Sequence, residues 1–391
     1  MEYAIDTNMV IKSRTYTTPH ATYTILNGNT NDSDTPEYRS VVLDPESKKV
    51  LCFAPPKSVS NDQVDGLAGV EGTEIIEGTM INLFYDDRIQ SWELATKAAI
   101  GGNYWYFRTQ YKTTPGAVQL TFRDMFIDAL REAPGTKLND IALIQTLDKS
   151  CVYSFVMQHP ANHIVIPIEF PMVYIVAVYR IVSDNVVRYV PLDDVAQYFV
   201  NSPVLRPIMC YAFDCDAMKL RDYHTMGVML YHPASGMRTS VLNPQYVRMK
   251  EFRGNNPNLQ YQYLCLSRAG RVKEYLDVFA CYKNLFYGFH TQSAEFIKTL
   301  HNAYVTYFVN KQGKEVQIDK HIFRHICKLH NQVYLPSINS GNKMIVNCKV
   351  VADYFNAMEP KEQLYHLNYQ NREYKIESEC AQLTAEPTCK C

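Results

Sequence analysis

The sequence has no charge of either sign to spare. Its 39 lysines and arginines stand against 40 aspartates and glutamates, a formal net charge of −1 over 391 residues. A protein that lies along a nucleic-acid duplex usually carries a basic excess, so any phosphate contact here must be a local patch. No stretch is apolar enough to span a bilayer: the longest, Ile164 to Val182, is broken by Pro167, Glu169, Pro171 and Arg180 and predicts buried strands. No basic segment leads into an apolar one at Met1 to Asp6, so no secretory signal is expected, and the expected location is the cytoplasm. CxxC pairs are missing too. The 11 cysteines are odd in number and scattered, which suits a reducing compartment and free thiols. A Walker loop, GxGxxG after a strand, GxSxG and HExxH are all absent, and each absence removes a class of enzyme.

What is present is a folding chain. Apolar residues make up 47% of it, which excludes intrinsic disorder at this charge balance, and the length allows two domains with separate cores. Residues Tyr16 to Glu37, rich in Thr, Asn, Asp and Ser, predict a solvated loop. Tyr38 to Leu43 and Val50 to Phe53 then predict two strands around Asp44-Pro45-Glu46-Ser47-Lys48. A second pair is expected at Ile75 to Tyr85 and Trp92 to Thr96. Thr121 can cap a helix with apolar positions at Phe122, Met125, Phe126, Ala129 and Leu130, Asp124 completing the box. Strands follow at Val152 to Met157, Val173 to Val182 and Gly227 to Tyr231. The expected class is α+β, built on antiparallel sheets with flanking helices.

After Leu266 the pattern turns helical. Phe296, Leu300, Tyr304 and Phe308 share one face, and Ile318, Ile322, Ile326 and Leu329 another. Asn347 can cap a last helix carrying Val350, Val351, Tyr354 and Phe355, stopped near Pro360. The expected organisation is therefore one domain over residues 1–266 and an all-helical one over 267–391, with a loosely ordered tail after Cys380.

Two clusters could carry chemistry. His321 and His325 stand four apart, with Cys327 and His330 near, a spacing able to put ligands on one helix face; the flanking Ile322, Phe323 and Ile326 read equally as an amphipathic helix, and no metal is assigned. Cys389 and Cys391 carry no more weight. The densest basic stretch is Arg238, Arg248, Lys250, Arg253, Arg268, Arg271 and Lys273, interleaved with Tyr246, Phe252, Tyr261 and Tyr263. Cations for phosphate and rings for bases make it a candidate single-strand surface. A solvated face with ordinary salt bridges is the plain alternative.

The succession of segments is more specific. It runs Tyr38-Arg39-Ser40-Val41-Val42, Phe53-Ala54-Pro55-Pro56-Lys57-Ser58, Glu74-Ile75-Ile76-Glu77-Gly78-Thr79, Ala95-Thr96-Lys97-Ala98, Gln158-His159-Pro160-Ala161-Asn162, Met226-Gly227-Val228 and Ser240-Val241-Leu242-Asn243-Pro244. From about Tyr38 to Leu266 it resembles the nucleotidyltransferase domain of T-even phage-type RNA ligases, in the version found in giant DNA viruses. In that superfamily a lysine attacks the α-phosphate of ATP, acids hold ribose and metal, and two late lysines neutralise phosphates. The resemblance places the nucleophile at Ile75, the ribose-side acid at Val156, the metal-side acid at Met226 and the late lysines at Ser240 and Leu242. None of these can do that work, since magnesium wants oxygen ligands. Arg39, Lys57 and Lys97 match phosphate-contacting positions, together with Glu77, Gly78 and Thr79.

Three readings follow from the resemblance. One is a degenerate viral ligase that binds nucleotide or single-stranded nucleic acid without reacting. Another is an active enzyme using ATP and Mg, with Lys57 or Lys97 as a relocated nucleophile. The last is an architectural protein of a virion or replication assembly, in which the 29 tyrosines anchor other viral proteins.

Overall fold

The computed structural model describes residues 1–6, 12–27, 39–64, 66–104, 120–200, 202–208, 210–211, 221–312, 316–341 and 343–370. They form two compact units, the first ending at Asn255 and the second starting at Asn256. The boundary expected after Leu266 falls inside a helix, Leu259–Arg268. The break sits upstream because the preceding helix stops at Gly254, whose φ of 74° is favoured in a residue without a Cβ.

Three sheets make the first unit. The largest runs β1 (Glu2–Ala4), β11 (Val186–Val190), β10 (Met172–Ser183), β9 (Cys151–Gln158), β7 (Thr79–Asp86), β8 (Ser91–Ala95), all antiparallel, with β12 (Leu205–Pro207) added parallel to β10. A second holds β2 (Lys12–Thr17), β3 (Thr22–Asn27), β4 (Val41–Leu43) and β5 (Val50–Phe53) in sequence order. The third is ordered β13 (Cys210–Tyr211), β6 (Glu71–Glu74), β14 (Gly227–Tyr231), β15 (Arg238–Leu242).

The period-two alternation of β9 explains the layering. Tyr153, Phe155 and Met157 face a core closed by Phe122, Met125 and Phe126 of α1 (Phe122–Ala129), with Ile144 of α2 (Ala142–Gln145) beside it. Val152 points the other way, onto Tyr23, Ile25 and Val42 of the second sheet. The large sheet is thus covered by helices on one face and by β2–β5 on the other. Helix α1 starts where expected: the Thr121 hydroxyl accepts the Asp124 N–H, and the Asp124 carboxylate accepts the Thr121 N–H.

Two expectations need correction. The loop expected from Tyr16 to Glu37 holds instead the β2–β3 hairpin up to Asn27, in which Tyr23 and Ile25 are fully buried; residues 28–38, Tyr38 among them, lie outside the described residues. The Thr-rich composition that suggests a loop also suits an edge hairpin with one polar face. The strand expected from Ile75 to Tyr85 begins only at Thr79: the chain leaves the third sheet at Glu74 and crosses to the large one through Ile75 to Gly78. That crossing matters below.

Helix α3 (Pro244–Arg253) closes the first unit, and the second is helical throughout its described residues: α4 (Leu259–Arg268), α5 (Val272–Val278), α6 (Lys283–Tyr304), α7 (Lys320–Leu329), α8 (Leu335–Asn339), α9 (Cys348–Ala357) and α10 (Pro360–Leu367). Leu300 and Tyr304 pack on Ile326 and Leu329, with Phe296, Phe308, Ile318 and Ile322 against them, the two faces read from the sequence. The Asn347 side chain caps α9 by accepting the Val350 N–H. That helix stops at Ala357, near Pro360 as expected, but it is not the last: Pro360 opens α10, because the first helical position needs no N–H. Cys380 and the tail lie outside the described residues. No helix among the described residues is long and apolar enough to cross a membrane. Cys52, Cys151, Cys265, Cys281, Cys327 and Cys348 are free thiols.

Candidate functional site

The crossing from β6 to β7 joins two sheets through four residues, Ile75 to Gly78. Its entry is held by the Ile75 N–H, which donates to the Gly227 carbonyl at 3.1 Å. Its exit is held by Glu77. This side chain is 2% exposed, and its carboxylate accepts the consecutive backbone N–H groups of Ile164, Val165 and Ile166 at 3.0–3.3 Å. Successive N–H groups turned to one point form a nest for an anion, here filled by a side chain of the protein. Gly78 then passes against β9: a Cβ there would stand 2.4 Å from the Met157 carbonyl oxygen and 2.7 Å from Val156 Cγ1. Thr79 accepts a hydrogen bond from the Asn162 side chain at 2.7 Å.

A cavity of about 340 Å³ opens beside this crossing. Ile75, Val156, Met226, Ser240 and Leu242 all line it, although they come from the crossing, from β9, and from both sides of the β14–β15 hairpin. Residues that the resemblance assigns to one reactive centre are therefore brought to one place. Most of the lining is hydrocarbon. Its charged members are Glu74, Arg39 and Arg238. Burial pushes the Glu74 carboxyl up, with Arg221 opposing.

Arg238 is the unusual member. It stands on β15 among Tyr3, Tyr179 and Tyr231, and its Nε is enclosed without a hydrogen-bond partner among the described residues. It makes no ion pair among them. Burial lowers its pKa; Tyr179 offsets this in part, while Arg39 adds to the push. Because a guanidinium does not give up its proton, it remains an under-solvated cation that an anion would stabilise. Arg238 also lines a neighbouring cavity of about 260 Å³, and Arg39 a smaller one of about 230 Å³ with Gly78, Thr79 and Lys97. The three cavities share walls at these two arginines.

The expected phosphate set divides. Arg39 lines two of the cavities, Gly78 the same two, and Thr79 and Lys97 the smaller one. Glu77 lines none of the three; the backbone N–H groups that claim its carboxylate leave it a holder of the crossing. Lys57 lines none of them either. No lysine lines the cavity that contains Ile75, so neither Lys57 nor Lys97 stands where the resemblance puts the nucleophile. Magnesium does not fit: Val156 and Met226 offer no oxygen, and Glu74 is the one carboxylate in the lining. The signal for Arg238 in the sequence was its place in a basic run, which says nothing of burial.

No protein-family model matches the sequence, and no curated protein matches it. Among solved structures the chain is similar to an RNA ligase of Naegleria gruberi, in a lysine-to-alanine mutant with ATP and Mn. The identity is 10% and the TM-score 0.34, over 49% of this chain and 54% of that one. The same ligase with PPi gives 11% and 0.33, over 47% and 52%. A putative ATP-dependent DNA ligase from Aquifex aeolicus gives 8% and 0.39, over 84% of this chain and 76% of that one. The chain spans about half the length of the Naegleria ligase it matches.

The basic strip is divided between the two units. Arg238, Arg248, Lys250 and Arg253 belong to the first unit, and Arg268, Arg271 and Lys273 to the second. Arg253 is buried at the end of α3 and donates to the Gly254 carbonyl. Arg268 pairs with Glu359 and Arg271 with Glu274. Arg248, Lys250 and Lys273 are exposed. Tyr246 and Tyr263, expected as stacking rings, are core residues at 0% and 5% exposure. Of the seven cations Arg253 alone is buried, Arg238 is half-buried and five are exposed.

Proposed function

We propose that this chain is a catalytically degenerate relative of the ATP-dependent RNA ligases, which binds a nucleotide or a phosphorylated nucleic-acid end without forming a covalent adenylate. The observation that carries the reading is the half-buried Arg238, its enclosed Nε unpartnered among the described residues, in a cleft whose other walls include Ile75, Val156 and Met226. Two guanidiniums supply a seat for phosphate oxygens, and hydrocarbon supplies a seat for a base. The same walls remove the chemistry: an isoleucine cannot attack phosphorus, and a valine and a methionine cannot hold magnesium. The resemblance supports with it a viral role in the cytoplasm of an infected cell.

Calorimetry with ATP and with a 5′-phosphorylated oligoribonucleotide tests binding, and intact-mass measurement after incubation with ATP and magnesium tests reaction. Binding that weakens as salt rises, with no added AMP mass, is the expected result. An acid-labile AMP adduct, or no binding of either probe, overturns it.

A further inference from the structure

In the second unit, far along the sequence from the cleft residues, three imidazoles converge. His321 and His325 lie one turn apart on α7, and His366 stands on α10. The His366 Nδ1 is 3.2 Å from His325 Nε2 and 3.3 Å from His321 Nε2, and the three nitrogens all lie within 4.8 Å of one another. From these positions we infer that His321, His325 and His366 form a binding site for a divalent transition metal of the zinc class, which ties α10 to α7.

The two distances that His366 makes fit a shared metal ion as well as a hydrogen bond. Nitrogens bound tetrahedrally at about 2.0–2.1 Å from zinc stand about 3.3–3.4 Å apart, close to the two spacings that His366 makes. As a hydrogen-bonding group, His366 Nδ1 has one proton or one lone pair. It can match one of the two Nε2 atoms facing it, whereas a single metal ion can accept a lone pair from all three rings.

The outer atoms of the rings are arranged to turn lone pairs inward. His325 Nδ1 lies 2.9 Å from the Tyr354 hydroxyl on α9, and His366 Nε2 lies 3.6 Å from a Glu362 carboxylate oxygen. When these outer nitrogens carry the protons, the inner ones are free to ligate, which is the usual arrangement around a metal-bound imidazole. Apolar rings close the site: Phe296 packs on His321 and His325, and Tyr369 stacks on His321 at 4.0 Å. His321 and His325 are 8% and 2% exposed.

Soft and borderline dications prefer such nitrogen donors, while magnesium and calcium prefer oxygen, so the expected ion is zinc, with a fourth position left to water. The i,i+4 pair was visible in the sequence. His366 was not, because 41 residues separate it from His325.

The test uses the full chain, stripped of metal by chelator and then given zinc or cobalt. One equivalent of zinc retained through gel filtration, a visible cobalt absorption band and a higher melting temperature with zinc are expected. His366→Gln, at a half-buried position, should melt like the chelator-treated wild type. It should lose more zinc affinity than the about tenfold to hundredfold that removing an outer partner of a ligand costs. Zinc retention by His366→Gln equal to wild type, or no cobalt band and no retained zinc in the wild type, overturns the site. The cobalt measurement needs no variant, so a misfolded mutant does not shield the inference.

Discussion

Both oxygens of the Glu77 carboxylate lie 3.0 Å from the backbone nitrogen of Val165, a residue 88 positions away. With Ile164 and Ile166 donating to the same group, this contact fixes the segment after β9 to the crossing between two sheets, and so fixes one wall of the cleft.

Glu77→Ala would leave three backbone N–H groups without an acceptor, one of them fully buried. Each unsatisfied buried donor costs about 1–3 kcal/mol, so a loss of about 3 kcal/mol or more is expected in urea denaturation. Glu77→Gln keeps one acceptor oxygen and should lose clearly less. Equal losses for the two variants would show that the side chain fills space rather than gathering N–H groups.

Arg238→Met separates function from stability. A hydrogen bond to a charged group contributes about 1.5–3 kcal/mol, so ATP or a 5′-phosphorylated end should bind about tenfold to hundredfold more weakly. The same change removes an under-solvated cation from between tyrosines, so the melting temperature without ligand should rise or stay level. A lowered melting temperature with unchanged affinity would assign Arg238 to the fold instead.

The sequence carried the local features well. The Thr121 and Asp124 capping box, the Asn347 cap, the β14 strand and the two apolar faces around Leu300 and Ile326 all depend on neighbours within a turn or two. The resemblance assigns Ile75, Val156, Met226, Ser240 and Leu242 to one centre, and all five line one cavity. What the sequence could not carry were contacts made across long separations. The Gly78 backbone must pass Met157 with no room for a Cβ, Glu77 is claimed by Val165, and His321 meets His366. Nor could the sequence show that the basic strip is divided, with β15 and α3 carrying its members in the first unit and α4 and α5 in the second.

Asp86 should set part of the acid limit of the first unit. Burial alone pushes its carboxyl up, but the Arg88 guanidinium, the Arg88 N–H and the Tyr23 hydroxyl hold it below the ordinary 3.8. A carboxyl depressed in the folded state adds stability above its unfolded pKa, and that contribution disappears as pH falls through the folded value. Urea midpoints should therefore fall from about pH 4 downward. Asp86→Asn should be less stable at neutral pH and show a flatter acid slope. A slope identical to wild type would assign the acid limit to other carboxyls.

On the function proposed above, adding one amine should not create a ligase reaction. In Ile75→Lys the new side chain would enter a cleft that already holds Arg39 and Arg238, and like charges with apolar walls lower the pKa of an amine toward its nucleophilic form. Attack on the α-phosphorus of ATP also requires the pyrophosphate to leave, and the charge on it is ordinarily balanced by a metal held on carboxylates. Val156 and Met226 supply none. After incubation with ATP and magnesium, intact mass should show no AMP on Ile75→Lys. A fraction of chains should carry it when Val156→Glu and Met226→Glu are added. An adduct on the single variant would mean that the two arginines polarise the phosphate well enough alone, and that the lost amine was the one missing element of a working ligase.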